Sequence, residues 1–101
     1  MKVIIREVVS DDWKAIYLNN EKVFEDHYIN IQDICERLQE LIDDGNVISS
    51  IEGEYYYLDE EYAEEHGFPD RFSNFPKNIF EWGINYGWKE VCNMGNVWKV
   101  S

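Results

Sequence analysis

The feature that most constrains the fold is an apolar repeat that begins at Ile31. Apolar side chains recur there at steps of three and four residues, at Ile31, Ile34, Cys35, Leu38, Leu41 and Ile42. This spacing predicts a helix over residues 31–44 with one buried side, because residues three and four apart lie on the same helical face. Asn30 suits the N-cap, and Gly45 suits the C-terminal end. Such a helix has to pack its apolar side on another element.

Segments rich in β-branched and aromatic residues lie on both sides of this helix and are predicted as strands. Turn residues at 10–12 and 19–20 separate the first three of them, which predicts an antiparallel meander. The predicted strands are 2–9, 13–18, 22–24, 47–58, 88–92 and 97–100. Residues 78–87 fit both a helix and a strand, and we favour a helix because Pro76 suits a first turn.

The expected fold is therefore α+β, in a single domain that spans residues 1–101. It consists of an antiparallel β-sheet with the main amphipathic helix packed on one face and a second, short acidic helix at its edge. That second helix is predicted from Glu60 to His66, with Asp59 as its N-cap. Its apolar anchors are Tyr62 and Ala63.

The formal net charge of −12 is concentrated in the middle of the chain. Residues 1–37 carry a net −3 and residues 71–101 a net +2, whereas residues 38–70 contain eleven carboxylates and no Lys or Arg. Carboxylates without intervening cations repel one another and lower stability at low salt. An arrangement that costs stability and is easily avoided suggests a use in binding, although a negative surface also keeps a small protein soluble.

This charge excludes some partners and favours others. An acidic surface repels phosphates, so we expect no direct binding to nucleic acid and none to anionic membranes. The sequence contains no apolar run long enough to span a bilayer and no signal peptide, so we expect a cytoplasmic protein. The partner that we expect is a basic protein.

The sequence carries no motif for catalysis, metal binding or cofactor binding. With 21 acidic residues in 101, some carboxylates lie close by chance, so a carboxylate pair does not indicate an acid and a base. His27 and His66 lack a two-histidine spacing, and Cys35 and Cys92 are far apart, so zinc has no framework. No glycine-rich turn precedes a helix to hold phosphate. We therefore expect no enzyme, no metal and no cofactor.

The predicted site is the acidic surface formed by residues 33–70, with carboxylates on both helices. On the first helix they recur about every 4.5 to 6 Å along the axis. This is sparser than the phosphates of a duplex strand, which are about 3.4 Å apart along the axis. The predicted partner-binding residues are Asp33, Glu36, Glu40, Asp43, Asp44, Glu60, Glu61, Glu64 and Glu65, with Tyr55 or Tyr57 as an aromatic contact.

Residues 13–20, WKAIYLNN, followed by Val23 and His27, resemble the hairpin of small uncharacterised bacterial proteins. Those proteins carry a W-x-x-L/I-Y-x-N pattern, then a histidine and an amphipathic helix. The resemblance covers about a third of the chain and implies a hairpin and a helix but no activity. In overall character the chain is also similar to acidic phage or mobile-element proteins that inhibit host defence nucleases by DNA mimicry.

The leading hypothesis is an acidic, non-enzymatic protein-binding module, of the kind that inhibits a nucleic-acid-binding partner by mimicking nucleic acid. One alternative is a housekeeping domain whose acidity serves solubility. Another is a small hydrolase that uses a carboxylate pair or a metal ion. A deep pocket lined by two carboxylates and aromatic rings would favour the hydrolase, whereas a convex acidic ridge would favour the binding protein.

Overall fold

The structure, a computed structural model, describes residues 1–77 and 79–80 and the backbone of residues 87–92. Its elements, in chain order, are β1 (Lys2–Ser10), β2 (Trp13–Leu18), β3 (Glu21–Asp26), α1 (Ile31–Asp43), β4 (Ser50–Leu58), α2 (Glu60–His66), a 3₁₀ turn (Phe72–Asn74) and β5 (Gly87–Cys92). This arrangement confirms the predicted α+β fold. The helix predicted over 78–87 and the strand predicted over 97–100 lie outside the described residues, apart from Ile79 and Phe80 in a turn and Gly87 at the start of β5.

The five strands form one sheet in the order β3-β2-β1-β4-β5. Three of the four neighbouring pairs are antiparallel, and β1 and β2 with β3 form the predicted meander. The pair β1 and β4 is parallel, with Val3 opposite Ile51 and Val8 opposite Tyr56. The sheet is therefore mixed, because α1 carries the chain from β3 across the sheet to the far side of β1, and such a crossover leaves the next strand parallel.

Local sequence explains where these elements begin and end. The two meander turns place Asp11 and Asn19 at φ 53° and 57°, in the left-handed region that Asp and Asn tolerate. Asn30 caps α1 by accepting a hydrogen bond from the Gln32 amide at 3.0 Å. Asp59 caps α2 in the same way, through the Tyr62 amide at 3.1 Å.

Side chains alternate across each strand, so the sheet buries a different set of residues on each face. One face, the α1 face, carries an aliphatic cluster of Val3, Ile5, Ile16, Leu18, Ile34, Leu38 and Ile51. The opposite face, the α2 face, carries a cluster of Val8, Ala15, Tyr17, Tyr56, Leu58, Phe75 and Ile79, against which Tyr62 and Ala63 of α2 pack. The two helices therefore lie over opposite faces of the sheet, and α2 is not at the sheet edge where we expected it.

The apolar stripe of α1 is only partly buried. Among the stripe residues, Ile34 and Leu38 are buried, whereas Ile31 is 54% exposed and Cys35 is exposed. The prediction that all six stripe residues pack against the sheet is therefore wrong. At 3.6 residues per turn, Ile31 and Cys35 lie about 60° and 100° away from Ile34 around the helix axis. The sheet does not extend far enough around the helix to cover them.

No helix in the described ranges is both long enough and apolar enough to cross a bilayer.

Candidate functional site

The structure divides the predicted acidic residues between two surfaces. Asp33, Glu36, Glu40, Asp43 and Asp44 are exposed on α1 or at its C-terminal cap, over one face of the sheet. Glu60, Glu61, Glu64 and Glu65 are exposed on α2, over the opposite face. The predicted surface over residues 33–70 is therefore two surfaces with the sheet between them.

Partners on α1 itself occupy part of its acidic surface. Arg37 Nη1 lies 2.9 Å from Glu40 Oε2, three residues further along the helix. The Gln39 side chain donates a hydrogen bond to Asp43 Oδ1 at 3.0 Å. Because Arg37 sits next to the segment that lacks basic residues, it offsets some of the charge that the sequence pattern assigned to this helix.

Tyr55 and Tyr57 lie on the α1 face, away from α2. Their rings are 5.1 Å apart between centroids, and Tyr57 is 38% exposed. Tyr56 points to the other face and is buried, as the alternation predicts. The two predicted aromatic contacts are thus not beside the acidic residues of α2.

On α2 the helical period separates its four carboxylates into two pairs. Glu60 and Glu64 line a cleft together with Ala63, on the side of the helix that meets the sheet. Glu61 and Glu65 do not line it. The members of each pair, Glu60 with Glu64 and Glu61 with Glu65, are about one helical turn apart. The two pairs therefore carry equal charge but have different surroundings.

This cleft lies between α2 and the turn that joins β1 to β2, and we call it the α2 cleft. Its volume is about 270 Å³. Its lining residues are Ser10, Asp11, Asp12, Trp13, Glu25, Glu60, Ala63, Glu64, Gly67 and Phe68. Five of these ten residues are carboxylates and two are aromatic, so the cleft combines negative charge with apolar rings.

Hydrogen bonds fix one wall of the α2 cleft. The Trp13 indole Nε1 donates to Glu25 Oε2 at 2.9 Å, and Lys22 Nζ lies 2.7 Å from Glu25 Oε1. The His27 and Trp13 rings meet edge to face, with 4.6 Å between centroids, and His27 Nδ1 is 3.4 Å from Asp12 Oδ2. Trp13 and Glu25 are therefore held in place, and the charge of Glu25 is already balanced by Lys22.

Three other carboxylates of the α2 cleft have no such balance. Among the described residues, no Lys or Arg forms an ion pair with Asp11, Glu60 or Glu64. All three side chains are exposed. They hold the charge that a cationic partner would neutralise.

The Ser10 side chain is polar and buried. It is 4% exposed, and its Oγ has no hydrogen-bond partner among the residues that the structure describes. Burying a hydroxyl without a partner costs about 1 to 3 kcal/mol. Ser10 also lines the α2 cleft, so the unsatisfied hydroxyl and the unbalanced carboxylates are in the same place.

The Tyr17 side chain anchors the segment that follows α2 on the α2 face of the sheet. The Tyr17 hydroxyl donates to the Pro69 carbonyl at 2.7 Å, which holds the segment after α2 against the sheet. Burial is the main cause that raises the pKa of the Tyr17 phenol, and the nearby Glu25 and Asp70 raise it further. Tyr17 therefore stays protonated and keeps donating this hydrogen bond at any physiological pH.

A second polar contact on the same face joins Arg6 to Glu54. Arg6 Nε lies 2.9 Å from Glu54 Oε1, and the Arg6 guanidinium carbon is 4.7 Å from the centre of the Phe72 ring. The Tyr56 hydroxyl also donates to Glu54. This partly buried network ties β1, β4 and the 3₁₀ turn together.

The carboxylates of the cleft are not arranged for a metal ion. Within the described part of the chain, no three His, Cys, Asp or Glu side chains come close enough together to hold one. The negative charge is spread around the walls of the cleft. Such an arrangement suits a cation larger than a single metal ion.

Sequence reasoning missed the residues that the β1–β2 turn contributes. The sequence pattern predicts a turn at Ser10, Asp11 and Asp12 and the start of a strand at Trp13, and neither prediction assigns these residues to a site. The available signal was the alternation itself, which puts Ser10 on the same face as Val8 and predicts a hydroxyl in a buried position.

Comparisons of the chain with protein-family models, curated proteins and solved structures give no match. The resemblance of residues 13–20 to the bacterial hairpin proteins therefore stays a prediction.

Proposed function

We propose that the protein is an acidic, non-enzymatic binding module that engages a basic protein partner in the cytoplasm. The observation that carries this proposal is the α2 cleft. There α2, the β1–β2 turn and Glu25 of β3, far apart in sequence, bring five carboxylates together, and Asp11, Glu60 and Glu64 have no basic partner among the described residues. Uncompensated charge of this kind raises the association rate of an oppositely charged protein.

Within this proposal the partner is a nucleic-acid-binding protein, such as a host defence nuclease, that the module inhibits. The exposed carboxylates on α1 and α2 support this proposal, because they present repeated negative charge as the phosphates of nucleic acid do. A cleft in the partner that binds nucleic acid already carries the complementary positive charge. The module would then compete with nucleic acid for that cleft.

The two acidic surfaces differ in their expected contributions. On α1, Arg37 and Gln39 already contact Glu40 and Asp43. On α2, the β1–β2 turn adds carboxylates to those of the helix. We therefore assign the main contact to the α2 side and a weaker contact to α1.

A hydrolase is the alternative that the α2 cleft brings into consideration, because carboxylates and the rings of Trp13 and Phe68 line it. An acid catalyst is usually kept protonated by burial in apolar surroundings. Asp11, Glu60 and Glu64 are instead exposed to water. The cleft therefore favours binding a cation over donating a proton to a substrate.

The test is capture of partners from lysates of bacterial hosts with the tagged protein, at about 50 mM and about 300 mM salt. Two charge-reversed variants accompany the wild type: Glu60→Lys with Glu64→Lys on α2, and Glu36→Lys with Glu40→Lys on α1. The proposal expects capture of a nucleic-acid-binding protein at low salt, loss at high salt, and displacement by duplex DNA.

The two variants show how much each acidic surface contributes to binding. Reversal on α2 should slow association by about tenfold or more and flatten its salt dependence, whereas reversal on α1 should have a smaller effect. Capture that is unchanged by both reversals would show that the acidic surfaces are not the binding site. No capture at either salt would leave the acidity as a means of solubility.

A further inference from the structure

We propose that the α2 cleft is a binding site for one guanidinium group, such as the end of an arginine side chain. This inference rests on the proposed function, since it names the group by which a basic partner is held. It adds a defined pocket, a defined chemistry and the residues Asp11, Trp13, Glu60, Glu64 and Ser10, of which only the two glutamates were predicted from sequence.

Charge is the first reason for a cation in this cleft. Asp11, Glu60 and Glu64 line it without a described basic partner. A guanidinium group is planar, is always charged and has five N–H donors, so it can bond to more than one carboxylate at once. A carboxylate on α2 and one on the β1–β2 turn can therefore share the same ligand.

Size and lining point to an organic cation. The volume of about 270 Å³ is smaller than the usual pocket for a drug-sized ligand and suits a single side chain. The rings of Trp13 and Phe68 belong to the lining, and arginine stacks on aromatic rings. Trp13 is held by its bond to Glu25, so this wall is ordered before the ligand arrives.

Ser10 is the independent reason for a ligand. Its hydroxyl is buried at the cleft and has no hydrogen-bond partner among the described residues. Alanine at this position would avoid the cost of the buried hydroxyl. Ser10 Oγ has almost no exposed surface, so a guanidinium N–H reaches it only if the side chains around it shift slightly, and it then donates the hydrogen bond that the hydroxyl lacks.

The experiment measures binding of N-butylguanidinium and of N-butylurea to the full chain by titration calorimetry. The two probes have nearly the same shape and differ in charge. We expect N-butylguanidinium to bind with a Kd of about 1 mM or tighter, and N-butylurea to bind at least about tenfold more weakly. Equal binding of the two probes, or no binding of N-butylguanidinium, would overturn the proposal.

Two double variants of α2 provide the matched control. Glu60→Gln with Glu64→Gln removes two charges that line the cleft, and Glu61→Gln with Glu65→Gln removes two charges from the same helix outside it. We expect the first to weaken N-butylguanidinium binding by about tenfold and the second by less than about twofold. An equal loss in both variants would show diffuse attraction to the helix and no built site.

Ser10→Ala separates the site from general stability. We expect this variant to unfold at a higher urea concentration than the wild type, because it removes the unsatisfied hydroxyl. We also expect it to bind N-butylguanidinium about threefold to tenfold more weakly, because it removes an acceptor. Unchanged binding in a folded Ser10→Ala protein would remove Ser10 from the site and, with it, the independent support for the ligand.

A short peptide with one central arginine, compared with the same peptide carrying citrulline, distinguishes the two sources of the guanidinium group. Binding of the arginine peptide that is about tenfold tighter than that of N-butylguanidinium assigns the cleft to a partner's side chain. Equal affinities assign it to a free small molecule. Either result supports the guanidinium site, and equal affinity for the arginine and citrulline peptides contradicts it.

These outcomes are separate from those of the capture experiment. If a basic protein is captured but the two double variants of α2 act alike, the proposed function stands and the cleft proposal fails. If N-butylguanidinium binds the cleft but no basic protein is captured, the site stands and the proposed partner fails.

Discussion

The two helices of this protein are attached to the sheet in different ways. α1 is 13 residues long and places Ile34 and Leu38 in an aliphatic cluster. α2 has seven residues, none of them buried, and packs on the cluster of the α2 face through the half-buried Tyr62 and Ala63. The helix that carries more of the core has two carboxylates, Glu40 and Asp43, with partners on its own surface. On the lightly attached helix, Glu60, Glu61 and Glu64 have no basic partner among the described residues, and Glu65 Oε2 lies 3.7 Å from His66 Nε2.

This difference separates stability from binding within one small fold. A core helix can accept acidic residues on its outer side because its packing offsets their repulsion. A short helix with little packing cannot contribute much to stability, and its carboxylates face a cleft. We infer that α1 mainly stabilises the fold and that α2 mainly shapes the α2 cleft.

The largest expected effect compares one residue from each helix, the buried Leu38 of α1 and the partly buried Tyr62 of α2. Leu38→Ala should lower the free energy of unfolding by about 3 kcal/mol, because it leaves a cavity in the aliphatic cluster. Tyr62→Ala should lower it by about 1 kcal/mol, because Tyr62 is only partly buried. Urea unfolding of both variants, followed by circular dichroism, measures the difference. Equal losses would show that α2 carries as much of the core as α1.

The next effect compares the two N-caps. Asn30→Ala and Asp59→Ala each remove one side-chain acceptor, worth about 1 kcal/mol to its helix. We expect Asn30→Ala to lower global stability by that amount, whereas Asp59→Ala should mainly open α2 by local unfolding. Amide hydrogen exchange distinguishes the two, since only Asp59→Ala should speed the exchange of α2 amides selectively. Matching exchange profiles would contradict the separation of roles.

The smallest effect concerns a half-buried carboxylate on the α1 face. Burial raises the pKa of Glu7 above its ordinary value of 4.5, although Lys14, at 3.7 Å, acts in the opposite direction. Because the pKa is raised in the fold, the protonated form stabilises it, and this stabilisation is lost as pH rises through the folded pKa. Glu7→Gln should therefore raise the free energy of unfolding at pH 7 by a few tenths of a kcal/mol.

The pH dependence checks this sign. The advantage of Glu7→Gln should disappear below pH 4.5, where Glu7 is protonated in both states. Thermal unfolding of the variant and the wild type at pH 7 and at lower pH measures it. Glu61→Gln is the control, because Glu61 is exposed on α2 and outside the cleft. An advantage that grows at low pH would contradict the assigned cause.

Most of the fold was accessible from the sequence because its signals are local. The caps Asn30 and Asp59 depend on residues a few positions apart, and both were predicted correctly. The parallel pairing of β1 with β4 was not predicted, because strand direction depends on where α1 leads the chain. The exposure of Cys35 was missed for a similar reason, since the pattern gives the apolar side of a helix but not the width of the surface that covers it.

The site was predicted only in part. The carboxylates of α2 were found from composition, but their division into Glu60 with Glu64 and Glu61 with Glu65 depends on how the helix packs. Ser10 ends β1 and Asp11 lies in the turn after it, both distant from α2 in sequence, and charge counting over residues 38–70 could not include them. A site built from two distant segments requires the topology, because no local pattern says which turn meets which helix.

The pairing of β1 with β4 has a consequence for the order of folding. Lys2 pairs with Ser50, so this contact closes a loop that contains β2, β3 and α1. Distant pairings of this kind form late, because the loop entropy has to be overcome before the contacts form. We expect the meander to form early and β4 to dock after it, bringing α2 to the β1–β2 turn. The cleft is then complete only when folding is, and cation binding reports the fully folded chain.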